Sequence, residues 1–239
     1  MDDQEKNQAV YVTNDILLNT LRIDNLKTAE SFDLLYEKDL HEMSALLGQI
    51  AFLTKIGLEH VYRKNDELRI IVTRIILNSL NTFLAAVTVL RNGYYLQASI
   101  LVRSIFETTS TALYLIINPS DLKKFQDGNL ETRTVNLQIK KIFPSLVKLY
   151  GLFSNTFVHI SPLYSELHPL QTYKQPTEEL NANIDFLRAS IWFVDVVVDL
   201  LFSDVKDNLK YWKYIEPHKF IYKSSEEMSQ WAHSFLRLK

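Results

Sequence analysis

Leu90-Arg91-Asn92-Gly93-Tyr94-Tyr95 joins two long segments of helical periodicity, and this junction decides the fold class. Upstream, Asn65 can cap a helix with Asp66 and Glu67 in its first turn. That helix runs to about Arg91 through Ile70, Ile71, Ile75, Leu80, Leu84 and Val87. Asn92 and Gly93 tolerate the left-handed conformation that ends a helix. Tyr94 opens a second helix that ends near Asn118-Pro119. Two long helices joined by so short a turn must lie antiparallel, side by side.

Two further long helices are expected downstream. One spans about 131–159, kinked or restarted at Pro144. The other, capped by Thr177, spans 178–203. With 66–91 and 95–118 they predict an all-α antiparallel four-helix bundle, its core covering about 66–203. Residues 1–8 read as a disordered tail and 9–239 as a single helical domain. The stretch from Val10 to Leu40 suggests two short helices, and Lys38 to Arg63 one longer helix. Residues 161–177, with Pro162, Pro169 and Pro176, read as a long loop. Trp212 and Tyr214 are expected in a short helix ended by Pro217, and Ser224-Ser225-Glu226-Glu227 opens a last helix. Strand-like alternation is confined to Lys219-Phe220-Ile221-Tyr222.

Composition narrows the function. The chain of 239 residues has no cysteine, which excludes disulfides, thiolate zinc sites and thiol nucleophiles. Five glycines and six prolines favour long helices over a turn-rich β fold. A net charge of −2 argues against a generally basic nucleic-acid binder. The charge is uneven: residues 1–62 carry 11 acids and 5 bases (−6), the remainder 17 acids and 21 bases (+4). The N-terminal segment has no apolar core of a secretory signal. The charge-free stretch Ile75–Leu90 is short of the roughly 20 apolar residues that span a membrane. The expectation is a cytoplasmic protein without membrane association.

Three side-chain groups can carry chemistry. Arg103 and Glu107 lie one turn apart, opposite the apolar face of Ala98, Leu101, Val102, Ile105, Ala112, Leu113 and Ile116. They are either a surface pair or part of a groove in which Arg103 binds an anion and Glu107 orients it. Asp195 and Asp199 have a spacing that could hold Mg²⁺, but Asp185, Arg188 and Trp192 share their side, and a solvated face is expected. Asn155 and His159 are also one turn apart, beside a helix end. A histidine there can give or take a proton while the Asn fixes its tautomer, or it can be a buried residue that bonds a backbone carbonyl. No histidine spacing matches a metal motif and no Gly-rich phosphate loop exists, so neither metal nor cofactor is expected.

The run Ser154-Asn155-Thr156-Phe157-Val158-His159 resembles the motif of the HEPN superfamily: Arg, a polar residue, about three residues, then His. Asn155 and His159 match the polar and His positions, and Ser154 stands where the family has Arg. The segment from Gly93 to Glu107, with Arg103-x-x-x-Glu107, is similar to an uncharacterised branch of that superfamily. The likeness covers about 66–203 and implies a small helical bundle from a prokaryotic defence or toxin-like system. It further implies a homodimer with facing sites and metal-independent cleavage of RNA by its own 2′-hydroxyl. On that basis His159 would be the general acid/base, Asn155 its orienting partner, and Arg103 with Glu107 part of the same site. The alternatives are a non-catalytic module binding a nucleotide, RNA or a partner protein, and a purely structural helical subunit.

Overall fold

A computed structural model describes residues 15–153, 172–206, 208–216 and 219–237. Nine α-helices are found among the described residues: α1 (Ile16–Asn19), α2 (Asn25–Lys64), α3 (Glu67–Arg91), α4 (Tyr95–Ile117), α5 (Leu122–Gln126), α6 (Thr132–Ile142), α7 (Pro144–Phe153), α8 (Glu178–Leu201) and α9 (Glu226–Phe235). A two-stranded antiparallel hairpin, β1 (Trp212–Glu216) and β2 (Lys219–Tyr222), precedes α9. The all-α class holds, with the hairpin as a small addition. The tail expected at 1–8 lies outside the described residues.

The α3–α4 hairpin forms as the junction predicts. Gly93 takes φ 93°, its N–H bonds to Leu90 O, and Tyr94 N–H bonds to Val89 O. These bonds satisfy carbonyls left open by the helix end. Asn65 plays a different part from the one expected. It sits at φ 52° as the left-handed residue closing α2, and Asp66 caps α3 by accepting from Arg69 N at 3.1 Å. Thr177 and Ser225 cap α8 and α9, accepting from Leu180 N and Met228 N.

The bundle is built from α2, α3, α4 and α8. The segment expected as the fourth core helix is instead α6 and α7, separate helices broken at Phe143-Pro144 and laid against α4. Its place belongs to α2, which packs on both α3 and α8. Where periodicity suggests separate helices before and after Leu40, α2 runs on for 40 residues, with a kink at Tyr36 (φ −120°, ψ 21°). Tertiary contacts hold the kink: the Tyr36 ring is buried against Phe32, and its hydroxyl donates to Asn181 Oδ1 of α8 at 3.0 Å.

From Phe186 to Phe202 every residue is buried, so α8 is the central element. A helix enclosed on all sides has no solvent face. Arg188, Asp195 and Asp199, expected on one, are therefore buried. Arg188 is paired with Asp39 at 2.6 Å and with Glu42, both on α2, and it donates to Phe235 O from α9. Arg237 joins the network through Asp39 and Asp185.

Trp212 and Tyr214, expected in a helix, are strand residues. Trp212 faces Tyr222 and Tyr214 faces Phe220 across the hairpin, with ring centroids 5.7 and 5.5 Å apart. Such cross-strand aromatic pairs stabilise a ladder by about 0.2–1 kcal/mol each. Phe143, at the break between α6 and α7, packs on Trp192, Phe193, Trp212 and Tyr222 and fixes the hairpin to the bundle.

By length and composition alone, α3 and α4 are apolar enough to cross a membrane, a longer window than the charge-free stretch suggests. Central helices of soluble bundles meet the same criterion, and these two pack most extensively on each other.

Candidate functional site

The α4 face opposite the apolar stripe meets α7. Arg103 and Glu107 are one turn apart on α4, and Arg103 Nε donates to Glu107 Oε1 at 2.9 Å. The Tyr150 hydroxyl, from α7, donates to the same oxygen at 2.6 Å. The Arg103 guanidinium carbon lies 5.8 Å from the centre of the Tyr150 ring, within cation–π range. The Arg103 and Glu107 side chains retain 30% and 35% of their exposure. The pair is therefore neither a free surface ion pair nor sealed in the core.

The electrostatics follow from this geometry. Burial, and then the Glu107 carboxylate, push the Tyr150 phenol up to about 12, so at neutral pH it is a proton donor. The bond that Arg103 donates to Glu107 raises its already high pKa, so the guanidinium is a fixed cation. Beneath the cluster is a crevice lined by Phe106, Glu107, Ser110, Asn136, Ile139 and Tyr150. Its free volume of ≈ 10 Å³ is about what one water needs, so the crevice itself admits nothing larger.

Among the expected site residues, Arg103 and Glu107 are brought together. Asn155 and His159, with Ser154, lie outside the described residues. Tyr150 was not singled out from the sequence, because nothing in the spacing of the chain links it to α4. Thr108, also on α4, hydrogen-bonds with Ser79 of α3 at 2.7 Å and belongs to a helix–helix contact.

The Asp195–Asp199 pair is no metal site. Asp199 accepts from Lys206 Nζ at 2.5 Å and from the backbone N–H groups of Lys210 and Tyr211 at 2.9 and 3.0 Å. Asp195 accepts from the Tyr211 hydroxyl at 2.8 Å and from Lys210 Nζ at 3.4 Å. Their lone pairs are committed to the segment that leads into the hairpin. Among the described residues no cluster of three or more metal-ligating side chains exists. His60 meets Asp204 at 3.0 Å beside Lys64 and a bidentate Arg69.

Fold and site together define a helical bundle with a partly exposed Arg–Glu–Tyr cluster between α4 and α7. A family profile described as a family of unknown function (DUF5677) matches residues 69–143, the span from the first turn of α3 to the end of α6. That span contains Arg103 and Glu107 and stops before Tyr150. No curated protein and no solved structure matches the chain.

Proposed function

We propose that this is an HEPN-like protein of a prokaryotic defence or toxin-like system that cleaves RNA without metal in the groove between α4 and α7. The observation that carries the reading is the convergence of Arg103, Glu107 and Tyr150 at the C-terminal part of α7. Asn155 and His159 follow Tyr150 in the chain by five and nine residues.

In this reading Arg103 binds the scissile phosphate from the open side, and Glu107 and Tyr150 hold the guanidinium in place. His159 takes the 2′-hydroxyl proton, the 2′-oxygen attacks phosphorus, and the 5′-oxygen leaves with a proton. Arg103 supplies the cation that Ser154 cannot. The active form is a cytoplasmic homodimer with its two grooves facing. Exposed Leu77, Leu84 and Ile100 on the outer faces of α3 and α4 are suited to such a contact.

The test is cleavage of single-stranded RNA in EDTA. The reading expects 2′,3′-cyclic phosphate ends, no cleavage of the deoxy analogue, and loss of activity in His159→Ala and Arg103→Ala with unchanged circular dichroism. Absence of cleavage in the wild type, or full activity in a folded His159→Ala, overturns it. A second reading, RNA binding without turnover, is favoured by Ser154 in the Arg position and by the sharing of Arg103 with Glu107. It expects binding lost in Arg103→Ala and no product from the wild type.

A further inference from the structure

The hairpin and the segment leading to it carry charge of the opposite sign to the chain. Between Val205 and Lys223 there are five lysines (206, 210, 213, 219 and 223) and two acids (Asp207 and Glu216), a local net of +3 in a chain of net −2. Two cavities flank the hairpin. One, of ≈ 660 Å³, is lined by Lys206, Asn208, Lys210, Lys213, Lys223 and Ser225 among others. The other, of ≈ 1010 Å³, is lined by Arg69, Ile116, Lys141, Leu201, Lys219 and Tyr222 among others. Ser203, Asp204, Trp212, Tyr214 and Phe220 line both, so the two meet as one trough along the hairpin.

Three of the acids in and behind these walls are paired with cations, while Asp66, also in the wall of the larger cavity, caps α3. Asp204 is held by Arg69 and Lys64, Asp199 by Lys206, and Asp195 by Lys210. Lys141, Lys213 and Lys223 make no ion pair among the described residues. The Tyr214 ring, 55% exposed and braced edge-on by Phe220, lines both cavities. Arg69 Nε is buried in the wall of the larger cavity with no hydrogen-bond partner among the described residues.

Unpaired lysines and an exposed aromatic ring bordering one trough are the chemistry of single-strand nucleic-acid binding: cations follow the backbone while bases stack on aromatic faces. The two cavities taken together exceed the size of an ordinary small-ligand pocket, which suits an extended strand. Small-ligand pockets run to roughly 1,000 Å³, and the larger cavity alone reaches that.

We propose that this trough binds single-stranded nucleic acid, with phosphates on Lys141, Lys213 and Lys223 and a base on Tyr214. The choice of RNA as the strand rests on the proposed function. The α6 helix borders both sites: Asn136 and Ile139 line the crevice at Glu107, while Gln138, Lys141 and Ile142 line the trough. A strand seated on the hairpin therefore lies one helix away from the Arg103 groove.

The experiment is fluorescence anisotropy with a labelled twelve-residue oligouridylate and the full chain, carried out in the His159→Ala background so that the probe stays intact. Binding should weaken as salt rises. Lys213→Glu with Lys223→Glu should weaken it more than tenfold. Tyr214→Ala should weaken it about tenfold, the worth of one stacked base, and Tyr214→Phe should restore it. Lys55→Glu, on α2, serves as a control that should bind like the parent, and melting curves confirm that each variant is folded. No binding by the parent protein, equal loss in Lys55→Glu, full affinity in the folded double lysine variant, or equal competition by uridine monophosphate overturns the proposal. RNA cleavage with hairpin-independent binding sinks this inference alone. Hairpin-dependent binding without cleavage by the His159-containing protein sinks the ribonuclease reading alone.

Discussion

Tyr150 of α7 donates to Glu107 of α4 at 2.6 Å, on the oxygen that also receives Arg103. This contact joins an ion pair legible in the sequence to a tyrosine that is not. Tyr150→Phe keeps the ring over Arg103 and removes the donor, so stability should fall by about 0.5–1.5 kcal/mol. RNA cleavage should fall less than in Arg103→Ala. The Tyr150 pKa is raised to about 12, so its contribution to stability is complete below pH ~10 and is lost as pH rises through about 12. Alkaline denaturation of the variant should lack that part of the loss; identical alkaline curves would count against the contact.

Arg188 is predicted to be the most costly single ion-pair deletion. Its side chain is 2% exposed, and Asp39 beside it is 7% exposed. Arg188→Met leaves Asp39 and Glu42 short of a partner and Phe235 O without its donor, which should cost about 3–5 kcal/mol. Urea denaturation at pH 7 measures this. The double variant Arg188→Met with Asp39→Asn should recover part of the loss, since fewer charges are then left uncompensated.

Gly57 sets two effects against each other. Alanine is favoured over glycine inside a helix by roughly 0.5–1 kcal/mol. A Cβ at Gly57, however, would overlap the ring of Phe202, which is fully buried at the end of α8. Overpacking a tight core costs about 1–3 kcal/mol, so Gly57→Ala should destabilise the protein despite its helix propensity. A raised melting temperature would show that α2 and Phe202 can separate without cost.

Asp204 gives an acid-sensitive link. The bonds from Arg69 hold its carboxyl well below the ordinary range, with further help from Lys64 and His60. A depressed folded pKa contributes stability above the unfolded value of about 3.9, and that stability is lost as pH falls below it. Asp204→Asn should be less stable at pH 7 and should show a shallower loss of stability below pH ~4. Asp195 has the opposite sign, because burial raises its pKa. The stability it contributes is complete at low pH and declines as pH rises from about 4, so Asp195→Asn should lack that decline. Stability measured from pH 2 to 8 separates the two.

The α3–α4 hairpin, the cap at Thr177, the opening of α9 after Ser224-Ser225 and the start of α7 at Pro144 were legible because each depends on residues within about one turn of one another. The same locality explains the errors. Asn65 fits a helix start and a helix end equally well in sequence, and the choice fell to Asp66 because its carboxylate reaches Arg69 N. Trp212 and Tyr214 fit a short helix until Tyr222, Phe220 and Phe143 supply partners for their rings. Half of the candidate site, Arg103 with Glu107, was visible as an i,i+4 pair.

The sequence by itself determined an all-α chain, the main helices and the pairing of α3 with α4, since periodicity, caps and short turns are local properties. Tertiary structure alone decided that α2 is the fourth bundle helix, that α8 is enclosed with its charges inside, and that Tyr150 reaches Glu107. Burial of Arg188, Asp195 and Asp199 is tolerated only where partners from α2, from the lead into the hairpin and from the C-terminal helix neutralise them. Those partners are 7 to 149 residues away along the chain, and helical spacing carries no record of them.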